Sequence, residues 1–360
     1  MTSIRHARRW ATAVTAAAVL WSTGTAYADD VPGGTTKPPA DKPSGGSANQ
    51  NIYASATHSQ IKVRQIKGPT SGKRGSLAPV DSNWKPPACW YEPVFTAEGL
   101  KEFVDKEDGN GDVGVHESWY GKRLWTDHYD DGKPETNFDD TQSTAPGYKN
   151  YNIGKKGYFW RSVAPDDTDP ASWDCGRIMF WQDDNTVPKI PHAPTTKTLA
   201  EYAYDKVKIP DTKIELKPQG KSTVNLPTWV WLDKGTFQDV TVRAELPNTG
   251  LWAETTAKPV ALHLEPGTDD AETYPASGDC TFKDDGSIGT PYKTGDADKT
   301  PPCGITYLRA TSGEPYRLKA SVTWQITWKG SGGTGGNNLP NGTFETTQDM
   351  NVQEIQSVNR

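Results

Sequence analysis

Leu318-Lys-Ala-Ser-Val-Thr-Trp-Gln-Ile-Thr-Trp328 alternates without a break: Leu318, Ala320, Val322, Trp324, Ile326 and Trp328 are apolar, and every residue between them is polar. Successive side chains of a β-strand point to opposite faces, so this stretch predicts a strand with one face buried and the other in water. The same period of two runs through Val240, Val242, Ala244 and Leu246 and through Val260, Leu262 and Leu264, with weaker versions at 214–216 and 350–352. Pro247-Asn248-Thr249-Gly250 and Pro266-Gly267 supply turns between such runs. Short strands separated by turns, with no long helical period among them, predict an antiparallel, immunoglobulin-like β-sandwich over residues 206–360. Each half-buried sheet must hide its apolar face on another.

Upstream the composition changes. Residues 83–205 carry seven tryptophans, from Trp84 to Trp181, among many Asp and Gly. A helix is predicted over 96–107, capped by Thr96, with Leu100, Phe103 and Val104 on one face. Tyr158-Phe159-Trp160 and Ile178-Met179-Phe180-Trp181 read as strands. Together they predict a small, loop-rich, mainly β domain. Residues 29–82 are rich in Pro, Gly, Ser and Thr, as in Thr35-Thr36-Lys37-Pro38-Pro39. They predict a disordered tether, since such a segment cannot bury enough apolar surface to fold alone. Within it, Gln60-Ile61-Lys62-Val63-Arg64-Gln65-Ile66 can pair as an edge strand when a partner is offered. Lys62, Arg64, Lys67, Lys73 and Arg74 make the segment locally basic. Contact with an acidic envelope polymer is therefore the sharper alternative to a passive spacer.

Residues 1–28 read as an export signal: Arg5, Arg8 and Arg9 precede an apolar run over 10–21, and Ala26-Tyr27-Ala28 is an A-x-A cleavage site. Cleavage leaves a chain starting at Asp29 and removes three positive charges, taking the net charge from -6 to -9. An acidic chain lacks the basic footprint of nucleic-acid binding. No later stretch reaches the roughly 18 apolar residues of a membrane span. The expected location is secreted, extracellular or cell-wall associated. In that oxidising setting the even set Cys89, Cys175, Cys280 and Cys303 predicts disulfides. Keeping each pair inside one proposed domain favours Cys89 with Cys175 and Cys280 with Cys303. The absence of a C-x-x-C argues against a zinc or redox motif.

Asp108-Gly109-Asn110-Gly111-Asp112 places oxygen side chains at alternate positions, as a calcium loop would, with Asp108, Asn110 and Asp112 as ligands. Val113 stands where that loop wants Gly, and Trp119 where it wants a closing Glu, so a solvated turn is the favoured reading and no cofactor is expected. His116-Glu117 and Asp127-His128-Tyr129-Asp130-Asp131 have the residue types of a metal or acid–base site, yet no H-E-x-x-H helix frames them, which favours a surface cluster. Ser118 lies near both histidines without a G-x-S-x-G elbow. Gly330-Ser-Gly-Gly-Thr-Gly-Gly336 lacks the Lys-Ser or Lys-Thr of a phosphate loop and reads as a hairpin connection. Most tryptophans are expected in the core, where each buries ~150–250 Å². Trp90, Trp119, Trp125 and Trp173 sit in polar contexts and are the candidates for an exposed ligand platform.

Leu226-Pro-Thr-Trp-Val-Trp-Leu232, Cys303-Gly-Ile-Thr-Tyr307, Val322-Thr-Trp-Gln-Ile-Thr-Trp-Lys-Gly330 and Val352-Gln-Glu-Ile-Gln356 together resemble a family of secreted actinobacterial proteins of unassigned activity, over about the last 140 residues. The resemblance implies secretion and a role at the cell envelope, and it brings no catalytic residues. With no catalytic template matched, the expected function is a non-catalytic binding or adaptor protein at the cell envelope, partnered by an envelope or secreted protein or a polysaccharide. Extracellular carbohydrate binding, with or without glycoside hydrolysis, is the alternative.

Overall fold

The strand predicted over 318–328 is observed as Tyr316–Gly330. Leu318, Ala320, Val322 and Trp324 are fully buried, and Trp328 is half-buried near the end. The structure, a computed structural model, describes residues 44–48, 51–55, 59–69, 74–110, 124–136, 144–166, 168–211, 214–232, 237–283 and 285–355. The export signal at 1–28 lies outside them.

In chain order the framework elements are β1 (Lys62–Lys67), β2 (Arg74–Ser76), β3 (Ala78–Pro79), β4 (Trp90–Phe95), α1 (Ala97–Asn110), β5 (Gly157–Val163), β6 (Phe180–Asp183), α2 (Thr196–Asp205), β7 (Lys208–Pro210), β8 (Glu215–Lys217), β9 (Lys221–Thr223) and β10 (Pro227–Leu232). They continue with β11 (Val240–Leu246), β12 (Leu251–Glu265), β13 (Ala271–Tyr274), β14 (Asp279–Thr281), β15 (Ile288–Gly289), β16 (Gly304–Tyr307), β17 (Tyr316–Gly330) and β18 (Gly342–Gln353).

A nine-stranded sheet runs β9-β18-β17-β12-β11-β1, with β14 on β12, β3 on β18 and Gly335–Gly336 on β17. A five-stranded sheet runs β8-β10-β16-β13, with β15 on β10. All of these pairs are antiparallel except β9 with β18. Inward residues of both sheets meet in one core: Val242, Leu262, Val322 and Trp324 from the large sheet, Val230, Leu232, Ile305 and Tyr307 from the small one. A second core gathers Tyr91, Phe95, Leu100, Val104, Tyr129, Phe159 and Trp160 around the three-stranded sheet β6-β5-β4 and α1. The fold is mainly β, as predicted, and α1 begins where expected, Thr96 Oγ1 accepting a hydrogen bond from the Gly99 amide at 3.0 Å. The immunoglobulin-like expectation is met only in its coarse form, two antiparallel sheets sharing a core.

Three expectations are corrected. First, α2 was not foreseen. Its N-terminus is a reciprocal cap, Thr195 and Thr198 each bonding the other's backbone amide. Its buried face of Leu199, Ala200, Ala203 and Tyr204 lies over β11 and β12. The strand residues on that face include Ala244, Ala253, Thr255 and Ala257, small enough to admit a helix, and Thr255 Oγ1 donates to the Ala200 carbonyl at 2.8 Å. Gly330 completes the fit, since a Cβ there would stand 2.1 Å from Thr196 Cγ2. The boundary at 206 therefore falls too late, because α2 packs into the later core.

Second, the segment 29–82 is not tether throughout. Strand β1 pairs with β11, β2 with β7 and β3 with β18, so the chain straps the sandwich from one edge to the other. The edge strand foreseen at 60–66 thus finds its partner within the same chain. Its composition misled because only Ile61 and Leu77 enter the core. Third, Val260 was expected inward. A bulge between Pro259 and Ala261 switches the phase of β12, so Ala253, Thr255 and Ala257 face inward before it and Leu262 and Leu264 after it.

Candidate functional site

The outer face of the five-stranded sheet carries an open groove of about 440 Å³. Alternation along β16 builds it. Ile305 and Tyr307 are fully buried inward, which turns Thr306 and then Leu308 outward, Leu308 remaining 46 % exposed. Thr306 is in register with Pro227 of β10 on one side and Glu272 of β13 on the other. Leu226, 44 % exposed, precedes Pro227, and Tyr274 closes the β13 side. Residues 297–300 form the remaining wall.

Asp296 knots that wall. Its carboxylate accepts from the Lys293 amide at 3.1 Å and from Lys299 Nζ at 2.8 Å. The Lys299 ammonium is the main reason the Asp296 carboxyl sits below its ordinary value. Lys299 is thereby partly neutralised from outside the lining, and Glu272 and Asp298 remain as groove carboxylates. Leucine, proline and tyrosine surfaces beside carboxylate, amide and hydroxyl groups give a floor that takes apolar side chains and a rim that orients polar ones.

A second polar centre lies at the seam of the two cores. Glu92 of β4 is fully buried. Ser59 Oγ and Trp90 Nε1 each donate to Glu92 Oε1 at 2.5 Å, and the Gln60 amide donates to Oε2. Burial nevertheless raises the Glu92 pKa above its ordinary value against these donors. Arg161, its register partner on β5, is pushed the other way by the same loss of water, and Glu92 opposes that. Arg161 Nε is buried without a hydrogen-bond partner. The centre ties the N-terminal strap to β4.

The predicted platform does not assemble. Trp90 and Trp125 are buried, at 1 % and 9 % exposed, while Trp173 is 57 % exposed and Trp119 lies outside the described residues. Their polar sequence neighbours are turns flanking short buried elements. Trp90 is the first residue of β4, and Trp125 sits in a π-helical turn, Leu124–Asp130, that also carries His128 inward. His128 is 1 % exposed, edge-on to Tyr129 and Tyr148 with ring centroids 4.8 and 5.0 Å away, so it belongs to the interior and not to a surface cluster. Asp127 and Asp131 do face solvent, both on Lys133.

His116, Glu117, Ser118 and Asp112 lie outside the described residues. Asp108 and Asn110 fall in the last turn of α1, whose backbone continues past the predicted end. Both predicted disulfides are present, Cys89–Cys175 and Cys280–Cys303. His192 stands beside the first; these three residues are the one convergent group of metal-ligating types among the described residues, and two of them are spent in the bond. The glycine run turns back as a hairpin, Gly335–Gly336 pairing with Trp328 and Lys329. Among the described residues no helix is long and apolar enough to cross a membrane. The groove itself was missed. Its one sequence signal is an outward leucine, Leu308, directly after the inward Tyr307, which a period count alone does not flag. Compared with protein-family models, with curated proteins and with solved structures, the chain finds no match.

Proposed function

We propose that this is an exported binding component of the cell envelope, with the groove on the five-stranded sheet as its contact site. The observation that carries the reading is the pair Leu226 and Leu308, two large apolar side chains left 44 % and 46 % exposed in one groove with a polar rim. Exposed apolar groups gathered in a concave site favour capture of a protein side chain. The two disulfides are consistent with an extracellular setting. The test is co-sedimentation of the purified chain with isolated envelopes, before and after the envelopes are digested with protease. Binding that is lost on digestion, and lost with the double change Leu226→Asp and Leu308→Asp, supports the reading; sedimentation indifferent to both changes defeats it.

The polar part of the lining favours a second reading, carbohydrate binding. Tyr274 offers a ring face beside Glu272, Asn225 and Asp298, groups that bond sugar hydroxyls. In that case binding survives protease digestion and disappears with Tyr274→Ala.

A further inference from the structure

The outer face of the nine-stranded sheet holds a row in which an acid, a histidine and a serine stand on three adjacent strands. Asp279 of β14 is in register with His263 of β12, and His263 with Ser321 of β17. All three point away from the core, because their strand neighbours Cys280, Leu262, Leu264, Ala320 and Val322 are the buried ones. His263 Nδ1 lies 2.8 Å from Asp279 Oδ1. A proton on Nδ1 donated to that carboxylate leaves the lone pair on Nε2, the arrangement a general base requires. Directly opposed residues of an antiparallel pair have Cβ atoms about 4.5–5.5 Å apart, so Ser321 is the neighbour of His263 on the side away from Asp279.

The surroundings hold the pair in place. Gly278, with φ +78°, leaves room for the imidazole: a Cβ there would stand 3.2 Å from His263 Cε1 and 2.8 Å from the Leu264 carbonyl. The Asp279 amide donates to Ser277 Oγ at 3.2 Å, and the next residue, Cys280, is bonded to Cys303. On the far side Ser321 faces Glu345 of β18, whose carboxylate is held by Lys319 Nζ at 3.0 Å; Lys319 also reaches Glu265 at 3.3 Å. Lys319 precedes Ser321 by two positions, so its ammonium stands on the same face as the serine.

We propose that Ser321, His263 and Asp279 act as nucleophile, base and orienting acid in the hydrolysis of small acyl esters. His263 Nε2 takes the hydroxyl proton as Ser321 Oγ bonds to the ester carbonyl carbon. The carbon–oxygen bond to the leaving group breaks, and Nε2 returns the proton to that alkoxide. Water, deprotonated at the same nitrogen, then cleaves the acyl-serine to a carboxylic acid and regenerates the hydroxyl. The row lies on the outer sheet face with His263 and Asp279 exposed and Ser321, 8 % exposed, at its floor, which suits a small acyl group reaching down from an extended polymer. It is on the opposite sheet from the groove, so the two proposals stand or fall separately.

The purified chain is treated with a fluorophosphonate probe and, separately, with p-nitrophenyl acetate. Expected are probe mass on the peptide containing Ser321, loss of that label in Ser321→Ala, and hydrolysis slowed about 10²- to 10⁴-fold in His263→Gln. Asp279→Asn should slow hydrolysis without abolishing label. Label on another serine, a wild-type rate equal to that of Ser321→Ala, or indifference to His263→Gln overturns the proposal. If Ser321→Ala fails to fold, Ser321→Cys serves: its alkylation by iodoacetamide must slow on His263→Gln, and an unchanged rate is equally fatal.

Discussion

Trp90 and Tyr91 are neighbours in the chain, each 1 % exposed, and they fill different cores. Strand alternation is the cause: successive residues of β4 face opposite ways, so this one strand is a wall of both cores. Stability at β4 is therefore shared between the two.

Replacing Trp90 by Ala empties a fully buried site and removes a donor to Glu92, and should cost about 3–5 kcal/mol. Tyr91→Phe removes only the hydroxyl that accepts from the Arg177 amide at 3.2 Å, a loss of about 1 kcal/mol. Denaturant unfolding followed by tryptophan fluorescence and by far-UV circular dichroism should give coincident single transitions for both variants. Separate transitions would show the cores to be independent.

Glu92 makes stability depend on pH. Its carboxyl is raised above its ordinary value of 4.5 by burial. The folded state thus prefers the protonated form, and the contribution of Glu92 is complete below about pH 4.5 and declines as pH rises through the raised folded value. Glu92→Gln gains no charge as pH rises, so its stability relative to wild type should improve between pH 4 and pH 7; a constant difference would contradict this. Glu92→Ala leaves Ser59 Oγ, Trp90 Nε1 and the Gln60 amide without their acceptor and Arg161 without the nearby opposite charge, and should cost about 3–5 kcal/mol at pH 7.

A chain begun at Asn83, where composition places a domain start, should be less stable than one begun at Ser59. It lacks β1 to β3 and the burial of Ile61, which alone contributes about 1.5–3 kcal/mol. A melting temperature lower by at least ~4 °C is expected, and equal melting would return 59–82 to the role of a passive tether.

Non-reducing peptide maps should show Cys89 joined to Cys175 and Cys280 to Cys303. Their sequence separations are 86 and 23 residues. On chain entropy, removing the shorter loop by Cys280→Ala with Cys303→Ala should cost about 3 kcal/mol and removing the longer about 4–5 kcal/mol. The reverse order in urea titrations would point to native-state effects instead.

Strands whose inward side chains are large were readable in advance. Leu318, Val322, Trp324 and the run from Val240 to Leu246 announce themselves because large apolar groups alternate with polar ones. The stretch from Ala253 to Ala257 did not, because a helix covers it and only small side chains fit beneath. Trp90 and Trp125 were placed outside on the strength of polar neighbours, yet in short elements the flanking turns dominate the local composition while the ring itself goes inward. The groove and the Asp279–His263–Ser321 row left no spacing signature, since each is assembled from segments far apart in the chain.

The amino-acid order by itself determined the period-two strands, the first helix with its Thr96 cap, and that the four cysteines pair, because each rests on local periodicity, local capping or simple parity. Only the tertiary structure decided that β1, β2 and β3 strap the sandwich, that β4 serves two cores, and which side chains share an outer face. Those outcomes depend on the register between strands far apart in the chain, and register is fixed by the burial of all the strands at once.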